Sequence, residues 1–178
     1  MSVQRVLVGL DFASLSDHVF QEALDLACQN RAELFLFHCI SVDALMTPPP
    51  FSGELGLSPH LVDQAYQVQT MQLQEHIQQA IAKFQHYKAQ AEQHQLQVNF
   101  EYQVSDAGVG LCRKAEEWDA DLIVIGRRGR QGLTEMLLGS ISNYVLHHAP
   151  CMVLVVQGKD RKQPVASATS TREVEYAK

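Results

Sequence analysis

At 178 residues, with 46% hydrophobic and 19% charged residues, the chain has the size and make-up of one globular domain with its own core, and two domains would be cramped. A formal net charge of −6 argues against general affinity for nucleic acid, which needs clustered lysine and arginine to displace counterions. The start of the chain lacks a signal-peptide pattern and no apolar run is long enough to span a bilayer, so a cytoplasmic protein without a membrane partner is expected.

The first element is the β-rich run RVLVGLD (5–11). LSDHVFQEALDLACQN (15–30) then sets Val19, Phe20, Ala23, Leu24 and Ala27 on one helical face, and AELFLFHCIS (32–41) is a second buried strand. The stretch 43–60, with its run Pro48 to Pro50, reads as a loop insertion. Residues 61–95 are rich in glutamine but carry Tyr66, Met71, Leu73, Ile77, Ile81 and Phe84, which predicts one long amphipathic helix with glutamine on its wet side. VNFEYQVSD (98–106) supplies a third strand. ADLIVIG (120–126) and CMVLVV (151–156) are continuous apolar runs of the kind found in strands covered on both faces, and 132–148 between them reads as a helix. From Gly158 onward periodicity is lost, so 158–178 is expected to be a flexible tail to a domain of residues 1–157.

Strands that alternate with helices form parallel pairs through right-handed crossovers, which predicts an α/β fold: a single-domain, open, doubly wound parallel sheet of five strands with helices on both faces. Ligands of such sheets bind beyond the C-terminal strand ends, where strand order reverses, so the loops after Gly9, His38 and Gly126 should matter. Cys28, Cys39, Cys112 and Cys151 are widely spaced without a C-x-x-C and read as small core residues. His76, His86 and His94 do not stand four apart, so no metal site is expected; His147 and His148 close a helix before Pro150, and His38 reads as a structural residue at a strand end.

The stretch GRRGRQGLTEMLLGS (126–140) contains the densest glycine pattern. It does not fit a Walker A loop, because no glycine there is followed by lysine and then serine or threonine. Gly108-Val109-Gly110 starts like a dinucleotide fingerprint but meets Arg113 where the third glycine belongs. What remains is Gly126-x2-Gly129-x9-Gly139-Ser140, directly after a strand. Such a loop is either ordinary turn chemistry or an anion nest in which bare amides approach oxygen without a Cβ in the way.

With VLVGLD, FHCI, WDADLIVIGRRGRQGL, LLGSISNYVLHHAPC and MVLVV in this order, the chain from Val3 to Val156 resembles the universal stress protein family, in its ATP-binding branch. The resemblance implies a Rossmann-like, adenine nucleotide alpha hydrolase-like fold and a homodimer through the last strand, Cys151 to Val156. It implies ATP, or ADP, AMP or cyclic AMP, as a regulatory ligand, with Mg2+ accompanying the phosphates left open. Gly9, Leu10 and Cys39 would border the base, and Asp11 would hold the ribose; the competing role for Asp11 is a helix cap. Ile125 and Gly126 would close the pocket. Gly129, Gly139, Ser140, Ile141 and Ser142 would receive the phosphates, with Arg127 and Arg128 as further anion contacts; Arg127 stands where many ATP-binding members carry a small residue. No G-x-S-x-G elbow or poised base is visible, so slow ATP hydrolysis is compatible with the resemblance and efficient enzymatic turnover is not expected. Two rivals remain: a nucleotide-free scaffold that binds a protein through its glutamine-rich helix, and an α/β enzyme such as a nucleotidyl transferase.

Overall fold

The computed structural model describes residues 2–13, 15–40, 59–127 and 139–157. Five strands, β1 (Arg5–Gly9), β2 (Glu33–Ile40), β3 (Val98–Val104), β4 (Leu122–Gly126) and β5 (Met152–Val156), form one sheet in the order β3-β2-β1-β4-β5. Every pairing is parallel. The expected five-stranded α/β sheet is thus present, and strand order reverses between β1 and β4.

Parallel strands need covering on both faces, which explains why β1 and β4 are apolar without alternation. Their even and odd residues serve two separate cores. Val6, Val8 and Val124 point to the face carrying α1 (Ser16–Asn30) and α2 (Pro59–Gln93); there Phe20 and Tyr87 stack at 4.3 Å, and Phe84 stacks on Phe100 at 5.1 Å. Leu7, Ile123 and Ile125 point to the opposite face, under α3 (Ala107–Glu117) and α4 (Ser140–His148), where Leu111, Ala115 and Val145 fill the layer.

Helix α1 buries the five residues its periodicity selects, and stops where Arg31 turns left-handed at φ 54° and returns its N–H to Ala27. Helix α2 begins at Pro59, two residues before the expected start and inside the expected loop, as suits a residue with fixed φ and no N–H to satisfy. Its glutamines do line the wet side, but the apolar stripe reaches the core only in its second half: Phe84 is fully buried, whereas Tyr66 and Met71 are 58% and 69% exposed. Within the expected helix over 132–148, Gly139 is extended (ψ 156°), and α4 runs from Ser140 to His148. Most of the expected 43–60 loop, the 158–178 tail and residues 128–138 lie outside the described residues.

Candidate functional site

At the C-terminal ends of β1 and β4 the backbone is brought unusually close. A Cβ on Gly9 would meet Ile125 Cγ2 at 2.9 Å and Leu111 Cδ2 at 3.0 Å, and one on Gly126 would meet Val19 at 3.0 Å and Leu15 at 3.1 Å. Packing therefore favours glycine at both positions, more tightly at Gly9 than at Gly126, independently of any ligand.

The chain leaving β1 is held from several sides. Leu10 is 4% exposed and its main chain is committed: its N–H donates to Phe37 O at 2.9 Å, and its carbonyl accepts from His38 Nδ1 at 2.8 Å. Border contacts expected from the Leu10 backbone are thus already engaged within the protein. Asp11 Oδ1 accepts from the Ala13 N–H at 3.0 Å and from the Ser16 hydroxyl at 2.9 Å. Ser16, at the start of α1, thus donates its hydroxyl to Asp11. Phe12 follows at φ 56°, a left-handed conformation costly for an aromatic residue. Its ring lies 4.6 Å from the His38 ring and 5.2 Å from Phe84, edge-on. Burial pulls the His38 imidazole below its ordinary value, against the opposing pull of the Leu10 carbonyl and the Asp11 charge. A neutral His38 with Nδ1–H directed at Leu10 is the structural residue that its strand-end position suggests.

Cys39 lies on the face under α3, with Sγ 3.5 Å from Ser105 Oγ, and burial pushes its thiol up. A Cβ on Gly110 would come within 3.0 Å of that sulfur, so α3 is seated directly on it. Across the sheet, the Arg127 N–H donates to Val156 O at 2.8 Å, and Arg127 Nε is buried without a hydrogen-bond partner among the described residues.

The two helices on this face begin differently. Helix α3 is capped by Asp106, whose carboxylate accepts from Val109 N–H at 3.0 Å. Helix α4 begins after Gly139, which has no side chain with which to cap. Its first N–H groups have no acceptor within the helix. Ser142, 2% exposed, donates its hydroxyl back to Gly139 O at 3.0 Å, Ile141 packs on the core, and Ser140 stays exposed. A helix start that no side chain among the described residues caps presents amides and a positive dipole end to an anion. Beside it opens a cavity of about 160 Å³ lined by Asp106, Gly108, Ser140, Ile141 and Tyr144. A larger cavity, about 480 Å³, is lined by Glu33, Gln95, Leu96 and Gln97 at the N-terminal strand ends. That is the wrong end of a doubly wound sheet for its ligand.

Gly9, Leu10, Asp11, Cys39, Ile125, Gly126, Arg127, Gly139, Ser140, Ile141 and Ser142 all lie at the C-terminal strand ends or at the start of α4. Arg128 and Gly129 lie outside the described residues. Sequence reasoning missed Phe12, Ser16, Asp106 and Tyr144. Of these, Asp106 alone carried a readable signal, an aspartate immediately before a helix.

A comparison with protein-family models matches residues 2–157 to the universal stress protein family. Universal stress protein Sll1388 of Synechocystis is 34% identical over 160 residues, covering 88% of this chain and 99% of the relative. Among solved structures, hypothetical protein MJ0577 superposes with a TM-score of 0.72 at 19% identity, covering 90% of this chain and 99% of the other. A universal stress protein in complex with cAMP (TM-score 0.59, 19% identity, 88% and 98% covered) and one from Archaeoglobus fulgidus in complex with dAMP (0.56, 16%, 87% and 98%) also match. At these identities the structural likeness is one of fold. The family match takes in all five strands and the uncapped start of α4, and Sll1388 is matched over nearly its whole length, so the chain belongs to the universal stress protein family.

Proposed function

We propose that this protein binds ATP or a related adenine nucleotide as a regulatory ligand at the β1–β4 strand ends, and that it acts as a homodimer paired through β5. The observation that carries the reading is the start of α4: among the described residues no side chain caps it, and Gly139 has none to offer, at the sheet end where ligands of this architecture bind. Phosphate oxygens are the acceptors that best match such donors. Ser140, Ile141 and Ser142 supply them, Arg127 adds a charge-assisted donor, and Arg128 and Gly129 extend the nest from the connecting loop. Asp11 takes the ribose hydroxyls, Gly9, Leu10 and Cys39 border the base, and Ile125 and Gly126 close the floor. Two relatives of the same fold whose complexes contain cAMP and dAMP support an adenine nucleotide as the class. Mg2+ would enter with the phosphates, bound by their oxygens. The proposed role is to sense rather than to turn over: binding would order what partners meet in the cytoplasm.

Calorimetric titration of the purified chain with ATP, ADP, AMP and cAMP tests this. Saturable binding of at least one of them is expected, with affinity at least tenfold lower in Gly139→Val, whose branched side chain stands in the path of the phosphates. The rival reading, a nucleotide-free scaffold, draws on the exposed first half of α2. It predicts no saturable heat from any of the four, and that result would overturn the nucleotide proposal.

A further inference from the structure

Helix α2 is written on a seven-residue repeat. Tyr66, Leu73, Ala80 and Tyr87 recur every seven residues, and Thr70, Ile77, Phe84 and Ala91 follow them at a constant offset of four. Alternating steps of four and three keep one helix face against a partner along its length. The second half of this seam is used inside the protein: Ala80, Phe84, Tyr87 and Ala91 are 0–2% exposed.

The first half runs past the sheet. Lys83 Nζ reaches Phe12 O at 3.4 Å and Phe84 packs edge-on against the Phe12 ring at 5.2 Å, so these residues stand level with the chain just beyond the C-terminal end of β1. At His76 the helix still lies near enough to His38 to act on its charge, and at 1.5 Å per residue the turns from 76 back to 63 extend for roughly 20 Å more. Tyr66 is 58% exposed there, and Leu73 and Ile77 are partly exposed. Thr70 suits the seam, because its hydroxyl donates to Tyr66 O at 2.8 Å and leaves its methyl group to face outward. A helical extension of this length gains little stability from its own hydrogen bonds, and an apolar stripe along it calls for a covering surface.

We propose that a second copy of this chain covers the first half of the seam, with the two α2 helices packed antiparallel about a centre between Met71 and Gln72. In that register Tyr66 lies against Ile77 of the partner subunit and Thr70 against Leu73 of the partner subunit, and each layer repeats by symmetry. The flanking positions select a copy over a charged helix. They are Gln67 and Gln74 on one side of the seam and Gln69 and His76 on the other, with no lysine, arginine or carboxylate among them. Charged flanks on a foreign helix would find no counter-charge, whereas glutamine both donates and accepts and is complementary to itself. The chain's net charge of −6 disfavours self-association in general, so a seam whose flanks carry no charge is where two copies can approach. Antiparallel packing also sets the helix dipoles in opposition. This inference depends neither on nucleotide binding nor on β5 pairing.

Sedimentation equilibrium of the full chain tests it. The Leu73→Glu/Ile77→Glu variant is expected to halve the mass of the wild-type assembly while keeping its circular dichroism and melting temperature, since neither residue is part of the buried core. Thr70→Cys/Leu73→Cys is expected to form a covalent dimer on mild oxidation that reductant reverses, in excess of any formed by the native cysteines. An unchanged mass in the glutamate variant, together with no added cross-link in the cysteine variant, would overturn the proposal. So would a glutamate variant that keeps its mass but melts many degrees lower, because the seam would then be covered from within its own chain.

Discussion

Asp11 does not cap α1, whose N-cap is Leu15 without a side-chain bond; it holds the turn before the helix through Ala13 N–H and Ser16 Oγ. As the proposed ribose ligand it must also face outward. Ser16 separates these roles, because its hydroxyl is buried at 2% exposure and touches Asp11 without belonging to the proposed ligand contacts. Ser16→Ala should cost about 1 kcal/mol, the usual net worth of one such hydrogen bond. Nucleotide affinity should fall less than threefold. Asp11→Ala should lose comparable stability and in addition at least tenfold in affinity. Thermal melts paired with nucleotide titrations check both, and equal affinities in the two variants would remove Asp11 from the ligand contacts. His38 and Phe12 lie behind this residue: the imidazole holds the Leu10 carbonyl, and the strained Phe12 wedges between His38 and Phe84.

Between elements, the critical approach is that of α3 to α4. A Cβ on Gly108 would meet Tyr144 Cδ1 at 2.8 Å, so the absent side chain at 108 sets how closely α4 lies against its neighbour and, with it, where the amides of Ser140 and Ile141 stand. Gly108→Val should destabilise the fold by about 1–3 kcal/mol, the range for overpacking, and weaken nucleotide binding by displacing the α4 start. Adding Tyr144→Ala should recover stability, and a melt series over the single and double variants tests that compensation. This contact also marks where the sequence stopped being legible. Long apolar runs and the 3.6-residue pattern of α1 declare themselves locally, so the five strands and the order of elements could be read directly. Gly108 and Gly110 look like a loop in sequence yet lie inside α3, because the need for glycine comes largely from Tyr144 and Cys39, residues distant in the chain. The extended conformation of Gly139 is equally hidden, since a helix pattern running through 132–148 does not mark the residue at which α4 starts. Residues of the candidate site were legible as a motif. The contacts already satisfying Leu10 and Asp11 were not, because they depend on His38 and Ser16 arriving from other elements.

For the molecule as a whole, the open question is what lies beyond the β5 edge. Register fixes which backbone groups face it. Val156 accepts from the Arg127 N–H and pairs with Gly126, so Met152, Leu154 and Val156 direct their main-chain groups to β4, while Val153 and Val155 direct theirs outward. An apolar edge with two outward-facing residues invites another strand, and the proposed homodimer would satisfy them by pairing with a copy of itself. Proline at 155 removes one outward donor and leaves the β4 ladder intact, the kind of site where an edge strand accepts it. Val155→Pro is therefore expected to shift the protein toward half its wild-type mass in sedimentation while retaining its circular dichroism. Its effect should be independent of the Leu73→Glu/Ile77→Glu pair in α2, since the two surfaces lie on different elements. If both contacts form, each variant alone leaves one of them, and only the combined variant sediments as a monomer. A combined variant no smaller than the α2 variant alone would mean that β5 has no partner.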